Sequence, residues 1–259
     1  MSFFGRILAK VGIGSAAVDT VLEKSAYAPG EEVRGIVRIE GGAIEQRIEG
    51  IVLAVMTQYV RESNDTKIHH NAEIARVRVT EPMTLEPNSR HEVPFSFILP
   101  YKTPLSIGRT PVWIKTSADI ASAVDPTDED RIHVMPSPGQ KVVLEAVESL
   151  DFRLRQTETV YAPRLGRSVS FVQELEWVPT GGRFRGKLDE LELMFLGDSA
   201  DGAELLLQID RKATSLLGLF AEAADTDESF VRVSLSGGDL SAGPAHVAAK
   251  LSGIIANYS

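Results

Sequence analysis

Through much of the first 135 residues, apolar and polar side chains alternate with period two. Val33, Gly35, Val37 and Ile39 alternate with Arg34, Arg38 and Glu40, and Val93, Phe95, Phe97 and Leu99 repeat the pattern. That period marks a strand with one buried face. Strands are predicted over residues 18–24, 32–40, 49–61, 71–80, 91–99 and 112–116, with tight turns at Pro29-Gly30, Gly41-Gly42 and Pro87-Asn88. The run through Ile51, Leu53, Val55, Thr57 and Tyr59 also carries Val52, Ala54 and Met56, so that strand is expected to be central and covered on both sides. Short strands at this spacing predict an all-β antiparallel sandwich.

His133 to Gln140 contains two prolines and a glycine and reads as an extended connector. It divides the chain into domains 1–135 and 136–259. In the second, strands are predicted over residues 169–178, 188–195, 204–210 and 230–235, while residues 142–155 fit either a strand or a helix. Three segments have helical period. Residues 2–11 gather Phe3, Phe4, Ile7, Leu8 and Val11, with Arg6 and Lys10 toward the edge of the stripe; residues 214–224 carry Leu216, Leu217, Leu219 and Phe220. After Gly243-Pro244, the residues Val247, Leu251, Ile254, Ile255 and Tyr258 fall within an arc of about 100°. Each stripe either docks on its own domain or meets a partner. The candidate contact residues are Phe3, Phe4, Ile7 and Leu8 at one end, and Leu251, Ile254, Ile255 and Tyr258 at the other.

Charge and composition narrow the function. The net charge is −9, with the second half the more acidic, and no basic cluster is present. Nucleic acid is therefore not expected as a partner, because phosphate recognition needs concentrated cations. There is no cysteine, which removes disulfides, zinc thiolates and thiol nucleophiles and fits a reducing cytosol. Arg6 and Lys10 interrupt the apolar start, so no secretory signal is expected, and no run reaches the roughly 18 apolar residues of a membrane span. A cytoplasmic location is the expectation.

Candidate chemistry is sparse. Neither a Gly-x-Ser-x-Gly elbow nor a Walker loop occurs, and Gly12-Ile13-Gly14 lacks the preceding strand of a dinucleotide site. His69-His70 lies in a polar stretch that reads as a hairpin tip. Adjacent residues of an extended chain point to opposite faces, so the two rings are not expected to share a metal. Asp119, Asp125, Asp128, Glu129 and Asp130 lack calcium-loop spacing and read as a solvated acidic loop. Glu174 and Glu176 share one strand face, which fits a glycosidase-like acid pair or an ordinary polar face. No catalytic residue, metal or cofactor is expected.

Two motifs carry a family resemblance: Tyr27-Ala28-Pro29-Gly30-Glu31 and Val93-Pro94-Phe95-Ser96-Phe97-Ile98-Leu99-Pro100. They resemble the hairpin turn and the later strand of arrestin-type sandwiches. With Val11-Gly-Ile-Gly, Tyr59-Val-Arg-Glu-Ser, Val124-Asp125-Pro126 and Leu205-Leu-Leu-Gln-Ile-Asp-Arg, the chain is similar over nearly its whole length to the bacterial sporulation-control protein family. The resemblance implies two arrestin-like sandwich domains with a few peripheral helices. It also implies a non-catalytic regulatory adaptor that binds other proteins in a developmental or stress pathway. Tyr27, Pro29, Gly30 and Glu31 are then expected to set turn geometry, and Pro94, Phe95, Phe97 and Pro100 to be core or strand-ending positions. The alternatives are a membrane-surface protein held by residues 2–11 or an unrecognised hydrolase; a homo-oligomer is also compatible.

Overall fold

The computed structural model describes residues 16–63, 66–120, 125–166, 168–199, 201–210 and 230–258. The helices expected over residues 2–11 and 214–224 lie outside them, as do Phe3, Phe4, Ile7 and Leu8.

The first half is a two-sheet sandwich. One sheet has the order β1-β3-β7, formed by Ala17–Leu22, Glu32–Glu40 and Arg90–Ile98. The facing sheet is built on β4 (Gln46–Ser63), which pairs on one side with β5 (Thr66–Arg78) and β6 (Met83–Leu85) and on the other with β8 (Val112–Ile120). Beyond β8 lie β9 (Thr127–Val134) and the short β2 (Ala26–Tyr27). Val18, Val33, Val37, Ile39, Ile51, Leu53, Val55, Ile114 and Leu99 fill the space between the sheets. β4 is central as its composition predicts, but cover on its second face is incomplete, and Val52 and Met56 stay half-buried.

Three expectations are corrected here. Asp128, Glu129 and Asp130 belong to strand β9, not to a loop; β9 pairs antiparallel with β8 over Ser117↔Thr127 to Val112↔Ile132 and buries Ile132 and Val134. His69 and His70 lie on β5, opposite Val60 and Tyr59, not at a hairpin tip. The connector ends sooner than expected, because Ser137 opens helix α1 (Pro138–Ser149): its hydroxyl accepts the Gln140 N–H at 3.1 Å while Gln140 Oε1 accepts the Ser137 N–H at 2.9 Å. This reciprocal cap, with Pro138 in the first turn where no N–H is needed, makes the proline a helix start.

The second half continues with β10 (Phe152–Tyr161), β11 (Phe171–Pro179), β12 (Glu190–Ser199), β13 (Gly202–Asp210) and β14 (Phe230–Ser236), neighbours in chain order in one antiparallel sheet. A short helix α2 (Gly237–Ser241) leads to α3 (Pro244–Ala256). Among the described residues this half has no second sheet. Where a packed sandwich was expected, α1 and α3 cover one sheet face, burying Val143, Val147, Val247, Leu251 and Ile255 against Leu175, Trp177, Leu191, Leu193, Leu205 and Leu207. Each of these side chains contributes about 1.5–3 kcal/mol of transfer free energy when fully enclosed. The chain is mostly β with few helices, as the alternation predicts.

Candidate functional site

The first motif forms one wall of a groove between the halves. Tyr27 is fully enclosed, and its hydroxyl accepts the Lys24 N–H at 3.2 Å. Pro29 and Gly30 form the turn: Glu31 N–H donates to the Ala28 carbonyl at 3.0 Å, and Gly30 adopts φ +83°, a conformation open to glycine without steric cost. Glu31 closes the motif, since its Oε2 accepts the Ala28 N–H at 2.9 Å and its other oxygen pairs with Lys24. The Lys24 ammonium, followed by the Ala28 amide, holds the Glu31 carboxyl below its usual range. Gly30 N–H donates to Leu99 O at 2.8 Å and Leu99 N–H to Glu31 O at 2.9 Å, which joins the turn to the end of the second motif. The ring of Tyr101 lies so close that a Cβ on Gly30 would stand 2.5 Å from it.

In the second motif, Phe95 and Phe97 face the core, half-buried, with ring centroids 6.2 Å apart. Pro100 ends the strand and accepts both the amide and the hydroxyl of Thr103, at 2.9 and 2.7 Å. Pro94, expected at a core or strand-ending position, is an exposed mid-strand residue opposite Ile36. Because Leu99 N–H donates to Glu31 O, alternation makes 36/94 a pair without ladder bonds, and the missing N–H of Pro94 faces outward from the sheet edge. A proline there blocks strand addition at β7.

The groove has a volume of about 630 Å³. Ala28, Pro29, Gly30 and Tyr101 line it from the first half, the start of α1 adds Ser137, Pro138 and Val142, and the second half adds Ser199, Gly237 and Leu240. Its lining includes one carboxylate, Glu31, already committed to Lys24 and Ala28. This surface suits the seating of a chain segment better than proton transfer, which needs a poised acid or base. Tyr101, Val142 and Leu240 were absent from the sequence expectations. Their convergence depends on contacts between distant segments, although the Ser137-x-x-Gln140 box was a readable signal for the helix start that brings Val142 there.

The other candidates are dispersed. Leu251 and Ile255 are completely buried in the core of their own half, Ile254 is half-buried and Tyr258 is 47% exposed. His70 stacks on Tyr59 with centroids 5.4 Å apart, and among the described residues no group of three or more His, Asp or Glu is placed to hold a metal. Glu176 pairs with Arg155, whereas Glu174 is enclosed and its carboxyl is pushed well above the usual range, by burial first and by Glu192, Glu158 and Glu190 next. Among the described residues no helix is long and apolar enough to cross a membrane.

The sequence model of the family described as SpoOM protein matches residues 4–213. The sporulation-control protein spo0M of Bacillus subtilis (strain 168) is 45% identical over 240 residues, 93% of this chain and 93% of that protein. A crystal structure of Spo0M, sporulation control protein, from Bacillus subtilis superposes with a TM-score of 0.88 at 42% identity, covering 95% of this chain and 100% of the other.

Proposed function

This chain belongs to the SpoOM protein family, and on that premise we propose that it is a non-catalytic regulatory adaptor that binds other proteins through the groove between its halves. A regulatory role is supported by the sporulation-control function named for its relative. The observation that carries the adaptor reading is the groove itself: an apolar floor of Ala28, Pro29, Val142 and Leu240, a rigid turn on one wall, and a single engaged carboxylate. Such a surface can bury the side chains of a partner segment while its rim satisfies the backbone. The pathway proposed for this chain is a developmental or stress decision; the relative's name says sporulation control.

The test is affinity capture from the native cytoplasm with the intact chain and with Leu240→Glu, each first checked for an unchanged melting temperature. A discrete protein set held by the intact chain and lost with Leu240→Glu supports the reading. Capture of nothing specific, or of the same set by both baits, overturns it.

A further inference from the structure

On one side of the first sandwich, the outer edge of β1 lies against β9 with no backbone ladder between them. Side chains make the join. Asp128 Oδ2 accepts the Thr20 N–H at 2.8 Å, and the hydroxyls of Thr20 and Thr116 meet at 2.5 Å. Strand alternation puts Asp128 and Asp130 on the same face of β9 as the buried Ile132 and Val134, toward the interior. Asp130 Oδ2 is enclosed without a hydrogen-bond partner, and Asp19 of β1 is only 2% exposed.

The charges around this join do not balance. β1 contributes Asp19 and β9 contributes Asp128 and Asp130, while Glu129 and Arg131 lie on the opposite face of β9. β3 contributes Arg38, 3.9 Å from Asp19 but closer, at 3.2 Å, to Glu92 of β7. From β8 the side chains on this face are Thr116, opposite Asp128, and the apolar Ile114, opposite Asp130, while Lys115 lies on the other face with Glu129 at 3.9 Å. Among the described residues, Asp128 and Asp130 therefore face the join together, Asp19 lies on the opposite face of β1 yet close enough to feel the charge of Asp128, and one guanidinium, shared with Glu92, stands beside Asp19.

We propose that the β1–β9 seam is a proton-operated latch, closed when Asp130 carries a proton and released when its loss sets three like charges around one join. The latch stands independently of the adaptor reading. Burial, the charge of Asp128, its hydrogen-bonded contact and the charge of Asp19 push Asp130 up to about 7, from an ordinary value of 3.8, and Asp19 is also raised, chiefly by burial. The closed seam thus holds its proton more tightly than an opened one. Opening is independent of pH below about 4, grows as pH rises from there to about 7, and levels off above that.

The test is hydrogen exchange on the full chain at about pH 5 and about pH 8, corrected for the intrinsic rate, comparing amides of Ala17–Leu22 with those of β12 and β13. Protection in β1 is expected to fall about tenfold or more at the higher pH, one factor of ten for each pKa unit expressed in the opening. β12 and β13 should keep theirs, and Asp130→Asn should retain β1 protection at both pH values. Unchanged β1 protection in the native chain, a loss shared equally by β12 and β13, or the same β1 loss in Asp130→Asn would each overturn the latch. Should Asp130→Asn not fold, the comparison of β1 with β12 in the native chain decides alone.

Discussion

The side-chain amide of Gln173 brackets the backbone of Leu105: Oε1 accepts the Leu105 N–H at 2.8 Å and Nε2 donates to the Leu105 carbonyl at 2.8 Å. These are the two bonds a neighbouring strand would supply, made here by a side chain. They fasten the loop between β7 and β8 to β11 of the other half. Nearby, the Thr157 hydroxyl donates to Ile107 O at 2.8 Å, and Tyr59 of β4 stacks on Tyr161 and Phe171 with centroids 5.7 and 5.9 Å away. Val60 and Val160 add a parallel bridge from β4 to β10. The halves are joined by directional contacts.

Gln173→Met keeps the length of the side chain and removes both bonds. Leu105 is 2% exposed, so its N–H and C=O would lose their partners in an enclosed place. Each orphaned group costs about 1–3 kcal/mol. The variant should lose about 2 kcal/mol or more in urea denaturation; a loss below about 0.5 kcal/mol would show that the bracket does not hold the halves.

Gly30→Ala tests the turn. Two separate penalties apply: φ at +83° is unfavourable for alanine, and the new Cβ would stand 2.5 Å from the Tyr101 ring. The backbone part alone is about 1–2 kcal/mol. Combining Gly30→Ala with Tyr101→Ala should recover the steric part and leave the backbone part, a coupling visible in a double-mutant cycle. Additive effects of the two substitutions would mean that the ring does not rest on the glycine.

How far this architecture could be read from sequence depends on which side of each strand is apolar. β3 and β7 were legible because Val33, Val37, Phe95 and Phe97 sit on one face only. β9 was not, because Asp128 and Asp130 occupy inward positions and break the hydrophobic period before Ile132 and Val134 restore it. The same inward face of β9 makes the seam with β1, where Asp128 accepts the Thr20 N–H. α1 was obscured by reading Pro138 and Gly139 as breakers, although Ser137 and Gln140 form a capping box around them. The groove could not be assembled from pattern at all: Pro29, Tyr101, Val142 and Leu240 are separated by tens of residues and meet only through tertiary packing.

The C-terminal helix separates core from surface. Leu251 is fully enclosed between α3 and the sheet, whereas Tyr258 lies beyond the helix end and is 47% exposed. Leu251→Ala should cost about 2–5 kcal/mol through lost transfer energy and the cavity left behind. Tyr258→Ala should stay within about 0.5 kcal/mol of the native chain, as surface changes do. Guanidinium titration of both variants would decide the matter, and a tolerant Leu251 would place this helix face outside the core.

Glu174 links burial to pH. Burial and the neighbouring charges of Glu192, Glu158 and Glu190 raise its carboxyl well above the usual value, with Lys67 acting in the opposite direction. The folded chain therefore binds this proton more tightly than the unfolded chain does. Where both states are protonated the group contributes no difference. As pH rises past the ordinary carboxylate value of 4.5, the unfolded chain releases its proton while the folded chain must keep it or bury a charge, and stability falls. Glu174→Gln preserves shape and removes the titration. It should match the native chain at about pH 4 and exceed it at about pH 8, by an amount within the range of about 0.5–3 kcal/mol usual for single substitutions. Melting temperatures of both chains across that interval supply the check: curves that diverge with rising pH are expected, and curves that stay parallel would mean that Glu174 is accommodated as a carboxylate.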